Sequence, residues 1–170
     1  MIEATLPSGV GRGLGHMDAV GLRIEPIDDS EIPNAMLFDG TPLVFNQATG
    51  TTLCTIGFPG PPKQNPGLKG DVDWNFVIGT LFGNLFGVKR LAPGRVSQTG
   101  GIAGDTLNIS FGHEATTFGG ASGSPLIAWE NASSPAFGLH FSGATGLSNY
   151  AISSGKAAKD LRAIGVPVWN

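Results

Sequence analysis

The sequence predicts an all-β protein made of short strands, closed by one C-terminal helix. Three observations carry that prediction. Glycine and proline are abundant, 27 and 12 of 170 residues, and charged residues make up only 14%. That composition suits short strands joined by turns better than a helical bundle. Apolar residues alternate with polar or small ones in several short runs, which is the period of a half-buried strand. The tail over residues 153–164, with Lys156, Lys159, Asp160 and Arg162 around Ala157, Ala158, Leu161 and Ile164, fits an amphipathic helix.

Taken in order, residues 1–15 are glycine-rich and weakly patterned, and read as an irregular arm. Val20, Leu22 and Ile24 then alternate with Ala19, Gly21 and Arg23, predicting a half-buried strand. Residues 25–46 carry Pro26, Asp28, Asp29, Pro33, Asp39-Gly40 and Pro42, the chemistry of turns, with Leu43-Val44-Phe45 as a short strand among them. Residues 51–60 read as a strand running into a turn, with Cys54 as a packed core thiol. One cysteine excludes an intrachain disulfide framework and lacks the ligand count of a zinc site.

Residues 73–88 hold Trp74, Phe76, Ile78, Leu81, Phe82, Leu85 and Phe86 with ambiguous periodicity. The pairs Ile78/Phe82 and Leu81/Leu85 suit a short helix, whereas Gly79, Gly83 and Gly87 oppose a stable one. The segment reads as an insertion that lays apolar side chains on the barrel or on a partner surface. Residues 88–97 are expected to hold a Pro93-Gly94 turn followed by a strand, and residues 106–111 alternate cleanly and are expected to pair antiparallel with it. Residues 124–129 and 136–141 follow as strands around a turn at 130–135.

Between these strands lies Gly120-Ala121-Ser122-Gly123-Ser124-Pro125. A serine set among glycines is what an acyl-transfer enzyme needs at its nucleophile. The hydroxyl stands on an open turn, and small neighbours leave main-chain N–H groups free to face a substrate carbonyl. Those of Gly120 and Ser122 would form an oxyanion hole. A Gly-Ser loop alone is a weak signal, since most are merely turns.

Two longer phrases strengthen it. The first is His113-Glu114-Ala115-Thr116-Thr117-Phe118-Gly119-Gly120-Ala121-Ser122-Gly123-Ser124; the second is Gly138-Leu139-His140-Phe141-Ser142-Gly143, followed by Asn149-Tyr150-Ala151. In this order and separation they resemble the C-terminal barrel of bacterial trypsin-like (chymotrypsin-fold) serine peptidases. Members of that family carry His-Asp-Ala-Thr-Thr-Leu-Gly-Gly-Asn-Ser-Gly-Ser and Gly-Leu-His-Phe-Ala-Gly. The resemblance covers roughly residues 18–164. It implies an antiparallel barrel, mostly the second of the double-barrel fold, with the C-terminal helix the family usually ends in. Residues 1–46 would then be an N-terminal arm, the last strand of the first barrel and the inter-barrel linker, and residues 47–170 the C-terminal barrel.

The resemblance further implies a serine endopeptidase acting through an acyl-enzyme on Ser122. Asp18, just before the strand at 19–24, matches the family aspartate that orients the catalytic histidine; an aspartate opening a strand from a turn is the plainer reading. The pocket wall would be Phe141, Ser142 and Gly143, whose backbone can pair with an extended substrate. His140 and Thr117 match positions where glutamyl endopeptidases and picornaviral main proteases bind the side chain before the scissile bond. The likeness implies a preference for Glu or Gln there; the plainer reading of His140 is a satisfied core histidine. His113 is assigned a structural role.

The catalytic histidine has no counterpart, because only seventeen residues precede Asp18 and the N-terminal barrel is largely absent. Three explanations stand: a fragment of a longer peptidase, a chain paired with another that supplies the histidine, or a catalytically silent domain that binds peptides or a partner. Protein or peptide is the expected substrate, with no cofactor and no metal. A net charge of −3 argues against nucleic acid as the main partner. No apolar run is long enough to span a bilayer and no signal pattern opens the chain, so a cytoplasmic location is expected.

Overall fold

Six strands close into one antiparallel barrel, and everything else is arranged outside it. The computed structural model describes residues 2–5, 13–26, 32, 34–41, 50–62, 73–130, 135–144 and 148–169. Outside the barrel, β1 (Ile2–Thr5) pairs antiparallel with β2 (Gly21–Ile24), and β3 (Phe38–Asp39) bridges to Ala136 before the chain end returns to it. The barrel consists of β4 (Thr52–Gly57), β5 (Arg90–Gln98), β6 (Ser110–His113), β7 (Pro125–Ala128), β8 (Gly138–Ala144) and β9 (Ser148–Ser153). Its strand order is β4-β5-β6-β9-β8-β7, with β7 closing on β4. A single turn-and-a-half of helix, α1 (Ala158–Ala163), leads to β10 (Val168–Trp169), which pairs parallel with β3.

The barrel interior is filled by Leu53, Val96, Phe111, Ala115, Leu126, Phe137 and Ala151, one or two from each strand or its entry. Phe111 and Phe137 stack with ring centroids 5.6 Å apart. Closure removes the free sheet edges that a flat sheet of this size would expose. The strands run so close that β5 passes the Ala115 main chain with a glycine, Gly94; a Cβ there would collide with that backbone. Ala115 begins the approach to the serine loop, so this contact helps fix where that loop starts.

A second core lies between the outer face of β8–β9 and the helix: Met17, Ile109, Phe141, Ile152, Ala157, Leu161 and Ile164. A helix of six residues would not hold in water alone. Burial of Ala158 and Leu161 against this cluster holds α1 in place. Met17 ties the N-terminal segment to the same cluster. Cys54, with Ile127 and Ala136, forms a third small core, and burial pushes its thiol pKa up. It is a packed thiol, as expected.

The all-β barrel with a C-terminal helix is the architecture the sequence implied, and four local expectations change. The N-terminal arm is not wholly irregular, since Ile2–Thr5 pair with β2. The strand at 21–24 forms, but Val20, Leu22 and Ile24 are exposed rather than half-buried, because β1 is its only strand partner among the described residues. The strand expected over 106–111 begins only at Ser110: Thr106 and Leu107 lie in a turn, with Asn108 at φ 51°. Asp105 caps the strand entry, its Oδ2 accepting from the Ser110 amide at 2.7 Å. The turn expected at Pro93-Gly94 is instead part of the continuous strand β5, where these residues pair with Cys54 and Leu53. The apolar insertion, whose periodicity is ambiguous, forms a short π-helix over Phe76–Leu81. Leu43-Val44-Phe45 and the boundary at 46/47 lie outside the described residues.

Candidate active site

The serine loop is built by two glycines in the left-handed region, Gly120 at φ 95° and Gly123 at φ 87°. Residues with a Cβ pay for that backbone conformation, so their spacing around Ser122 dictates the turn. The loop is pinned at both ends. Gly123 donates to the His140 carbonyl at 2.7 Å, and His140 donates to the Ser124 carbonyl at 2.8 Å. On the other side Gly60 donates to the Gly119 carbonyl at 2.7 Å. Ser122 is left exposed at the crest while Ala121 and Ser124 are buried beneath it.

Neither the Gly120 amide nor the Ser122 amide donates to any group among the described residues. Two unpaired N–H donors, one on the serine itself and one two residues before it, are the parts of an oxyanion hole. The Ser122 hydroxyl donates to the Phe141 carbonyl at 3.3 Å, a long bond. Phe141 itself is buried in the helix-side core, whereas Ser142 is half-buried and Gly143 exposed. β8 pairs with β9 along one edge, with a register shift between His140 and Ser142, and with β7 only at Gly138 and Leu139. From Phe141 to Gly143 its second edge carries no strand among the described residues. That edge, beside Ser122, can accept an extended peptide by strand addition.

Thr117 is half-buried, and its hydroxyl donates to Asn149 Oδ1 at 3.0 Å. Asn149 Nδ2 in turn donates to the Ala115 carbonyl at 2.7 Å, so this side chain braces both ends of the approach to Ser122. Asn149 was not singled out as a site residue from sequence, although it opens the Asn-Tyr-Ala phrase. Its role comes from the fold, which sets it directly opposite Gly143 in the β8–β9 register.

His140 is 4% exposed and His113 fully buried. Their rings meet edge to face, with His113 Nε2 3.1 Å from His140 Nδ1. One ring must donate and the other accept, so the two cannot both be charged, and burial favours the neutral form of each. Desolvation pushes the His113 pKa down from 6.5 to about 3, helped by the charge His140 would carry. Desolvation pushes His140 to about 4, opposed by a hydrogen bond to the Tyr150 main chain. His113 Nδ1 is buried without a partner. The structural role expected of His113 fits this placement.

Asp18 lies in the loop before β2, where Oδ2 accepts from the Gly13 amide at 2.8 Å. Among the described residues no histidine hydrogen-bonds to Asp18 or to Ser122. His16 is exposed on the surface. No group of three potential metal ligands occurs among the described residues, and none of their helices is long and apolar enough to cross a membrane.

No family model matches the chain. Over 167 residues it is 45% identical to a probable serine protease of Lysobacter enzymogenes, a match that covers 97% of this chain and 43% of that protein. The chain therefore spans less than half the length of this curated relative. Among solved structures, the crystal structure of Rv3671c protease in its inactive form matches with a TM-score of 0.48 and 21% identity, over 79% of this chain and 56% of that one.

Proposed function

We propose that this chain, a homologue of a probable serine protease with a barrel of the trypsin-like type, is the nucleophile-bearing half of a serine endopeptidase. The observation that carries the reading is the serine crest: an exposed Ser122 between left-handed glycines, with two unpaired amides and a free strand edge beside it. The reaction follows from those parts. A peptide adds to the edge at Phe141–Gly143, and Ser122 Oγ attacks its carbonyl carbon while a base takes the hydroxyl proton. The carbonyl oxygen becomes an oxyanion held by the Gly120 and Ser122 N–H groups. The proton then passes to the leaving amine, and water releases the acyl group by the same route.

The base comes from outside the described residues, from an upstream segment or a separate chain. In this reading Asp18 orients it, since Asp18 Oδ1 has no partner among the described residues. The exposed face of Val20, Leu22 and Ile24 is where the part that supplies it packs. Residues 1–46 then link that part to the barrel.

The preferred residue before the scissile bond is Glu or Gln. Thr117 stands at the approach to Ser122, and the paired neutral imidazoles of His113 and His140 sit under β8. No acidic side chain other than the exposed Glu114 lies between 114 and 119 to favour Lys or Arg.

A second reading, a silent peptidase-like module that binds extended peptides, is favoured by the Ser122–Phe141 hydrogen bond, which ties up the nucleophile. One experiment separates the two. A fluorophosphonate probe is read by intact mass on the chain and on Ser122→Ala, each alone and with the remainder of a full-length relative supplied in trans. A single adduct that the substitution abolishes is expected. No adduct on folded protein in either setting would leave the binding module. Peptides ending in Glu, Gln, Lys and Phe then rank the pocket, and a Lys preference would sink the specificity assignment.

A further inference from the structure

A cleft of about 440 Å³ opens behind the serine loop, between β4, β5 and the apolar insertion. It is not the peptide edge, since none of Phe141, Ser142 and Gly143 lines it. Pro59, Leu81, Phe82, Leu91, Ala92 and Pro93 make most of its wall apolar. One cation, Arg90, faces it, and among the described residues no other charged side chain contributes to the lining.

Arg90 is held in an unusual way. Its Nη2 donates to the carbonyls of Phe82 at 2.6 Å and Leu85 at 2.9 Å, and its guanidinium carbon lies 4.8 Å from the Phe82 ring centroid. Those contacts position the group without neutralising it. Nη1 and Nε have no partner among the described residues, and Nε is buried. Arg23, by contrast, pairs with a carboxylate, that of Glu25. A guanidinium held in place with a nitrogen still unpaired is suited to a carboxylate.

We propose that this cleft binds an apolar monocarboxylate, its carboxylate on Nη1 of the Arg90 guanidinium, which the carbonyls leave free. Its hydrocarbon lies against Leu81, Leu91 and Pro93. A single cation among apolar walls fits a monoanion with an apolar body. A phosphate dianion would call for more than one positive group. The volume lies in the range of small-ligand pockets. The fourth wall is Thr116, Thr117, Ala121 and Ser124, so an occupant touches the underside of the serine loop.

Octanoate and 1-octanol, matched in chain length, test the assignment by isothermal titration on the whole chain. Octanoate is expected to bind at least about tenfold more tightly than the alcohol. Arg90→Met is expected to erase that difference. Arg95→Met, on the exposed face of the same strand, is expected to leave it intact. Equal affinities for the two ligands, no saturable octanoate binding, or a difference that survives Arg90→Met in folded protein would each overturn the proposal. If Arg90→Met does not fold, the comparison of the two ligands on the wild-type chain and on Arg95→Met still decides it. None of these readouts depends on whether Ser122 reacts.

Discussion

His113 and His140 carry a pH dependence that can be derived with its sign. In the unfolded chain both imidazoles take a proton near the ordinary value of 6.5. In the folded barrel they resist protonation down to about 3 and about 4. Below pH 6.5 the unfolded state therefore binds more protons, and stability falls as pH falls. The stability is fully present above 6.5 and is lost progressively through 4 and then 3. Burial is the first cause in both, so the effect belongs to the fold and not to the peptide site. Urea unfolding between pH 7 and pH 4 should show a falling midpoint. His113→Gln, which removes one titrating ring and keeps a hydrogen-bonding group, should reduce the slope by roughly half over that window. An unchanged slope would mean the carboxylates, not this pair, set the acid sensitivity. At the same scale, sequence alone left His140 open between pocket and core. Its identity as a histidine was legible, but its pairing with His113 depends on β6 and β8 both flanking β9, which is a long-range fact.

The serine loop and the insertion show what is legible at the scale of an element. The loop could be read because glycine spacing marks where the chain can turn: Gly120 and Gly123 are the positions that take positive φ. Gly120 has a second constraint that sequence could not show. A Cβ there would lie 3.0 Å from the Phe58 carbonyl oxygen and 3.1 Å from the Gly60 nitrogen, tighter than ordinary contact. Gly120→Ala should therefore cost about 1–2 kcal/mol for the left-handed backbone alone, with a further cost for displacing the 58–60 turn. Differential scanning calorimetry should show a drop in Tm, about 2–4 °C per kcal/mol for a domain of this size. Fluorophosphonate labelling should be lost even where the protein remains folded, because one oxyanion donor has moved. Wild-type labelling by Gly120→Ala would remove Gly120 from the site. The insertion resisted reading for the opposite reason. Its seat is made by Phe82 and Trp74 against Phe118, with ring centroids 4.9 and 6.4 Å apart, across more than thirty residues of chain. Periodicity within 73–88 carries none of that. The strand at 106–111 failed similarly: alternation was present, but Asp105 captured the Ser110 amide and ended the turn there.

For the whole molecule, the barrel was legible because its two defining phrases flank β7 and enter β8, the strands that close it. What covers the remaining surface was not, because that depends on contacts the chain does not make with itself. Val20, just before β2, and Leu22 and Ile24 within it are 45, 55 and 63% exposed. Their alternation is that of a strand meant to be covered on one side, and the sequence was read that way. The curated relative is more than twice as long as the matched region, and in the proposed reading the remainder covers this face. Without it, apolar faces find each other. The isolated chain should therefore sediment with a mass that rises with concentration in the micromolar range. Leu22→Glu combined with Ile24→Lys should return it to monomer. Because both side chains are exposed, that substitution should leave the barrel's Tm within about 1–2 °C. A chain that stays monomeric at high concentration would show that this face needs no cover. The base for Ser122 would then have to be sought at another surface.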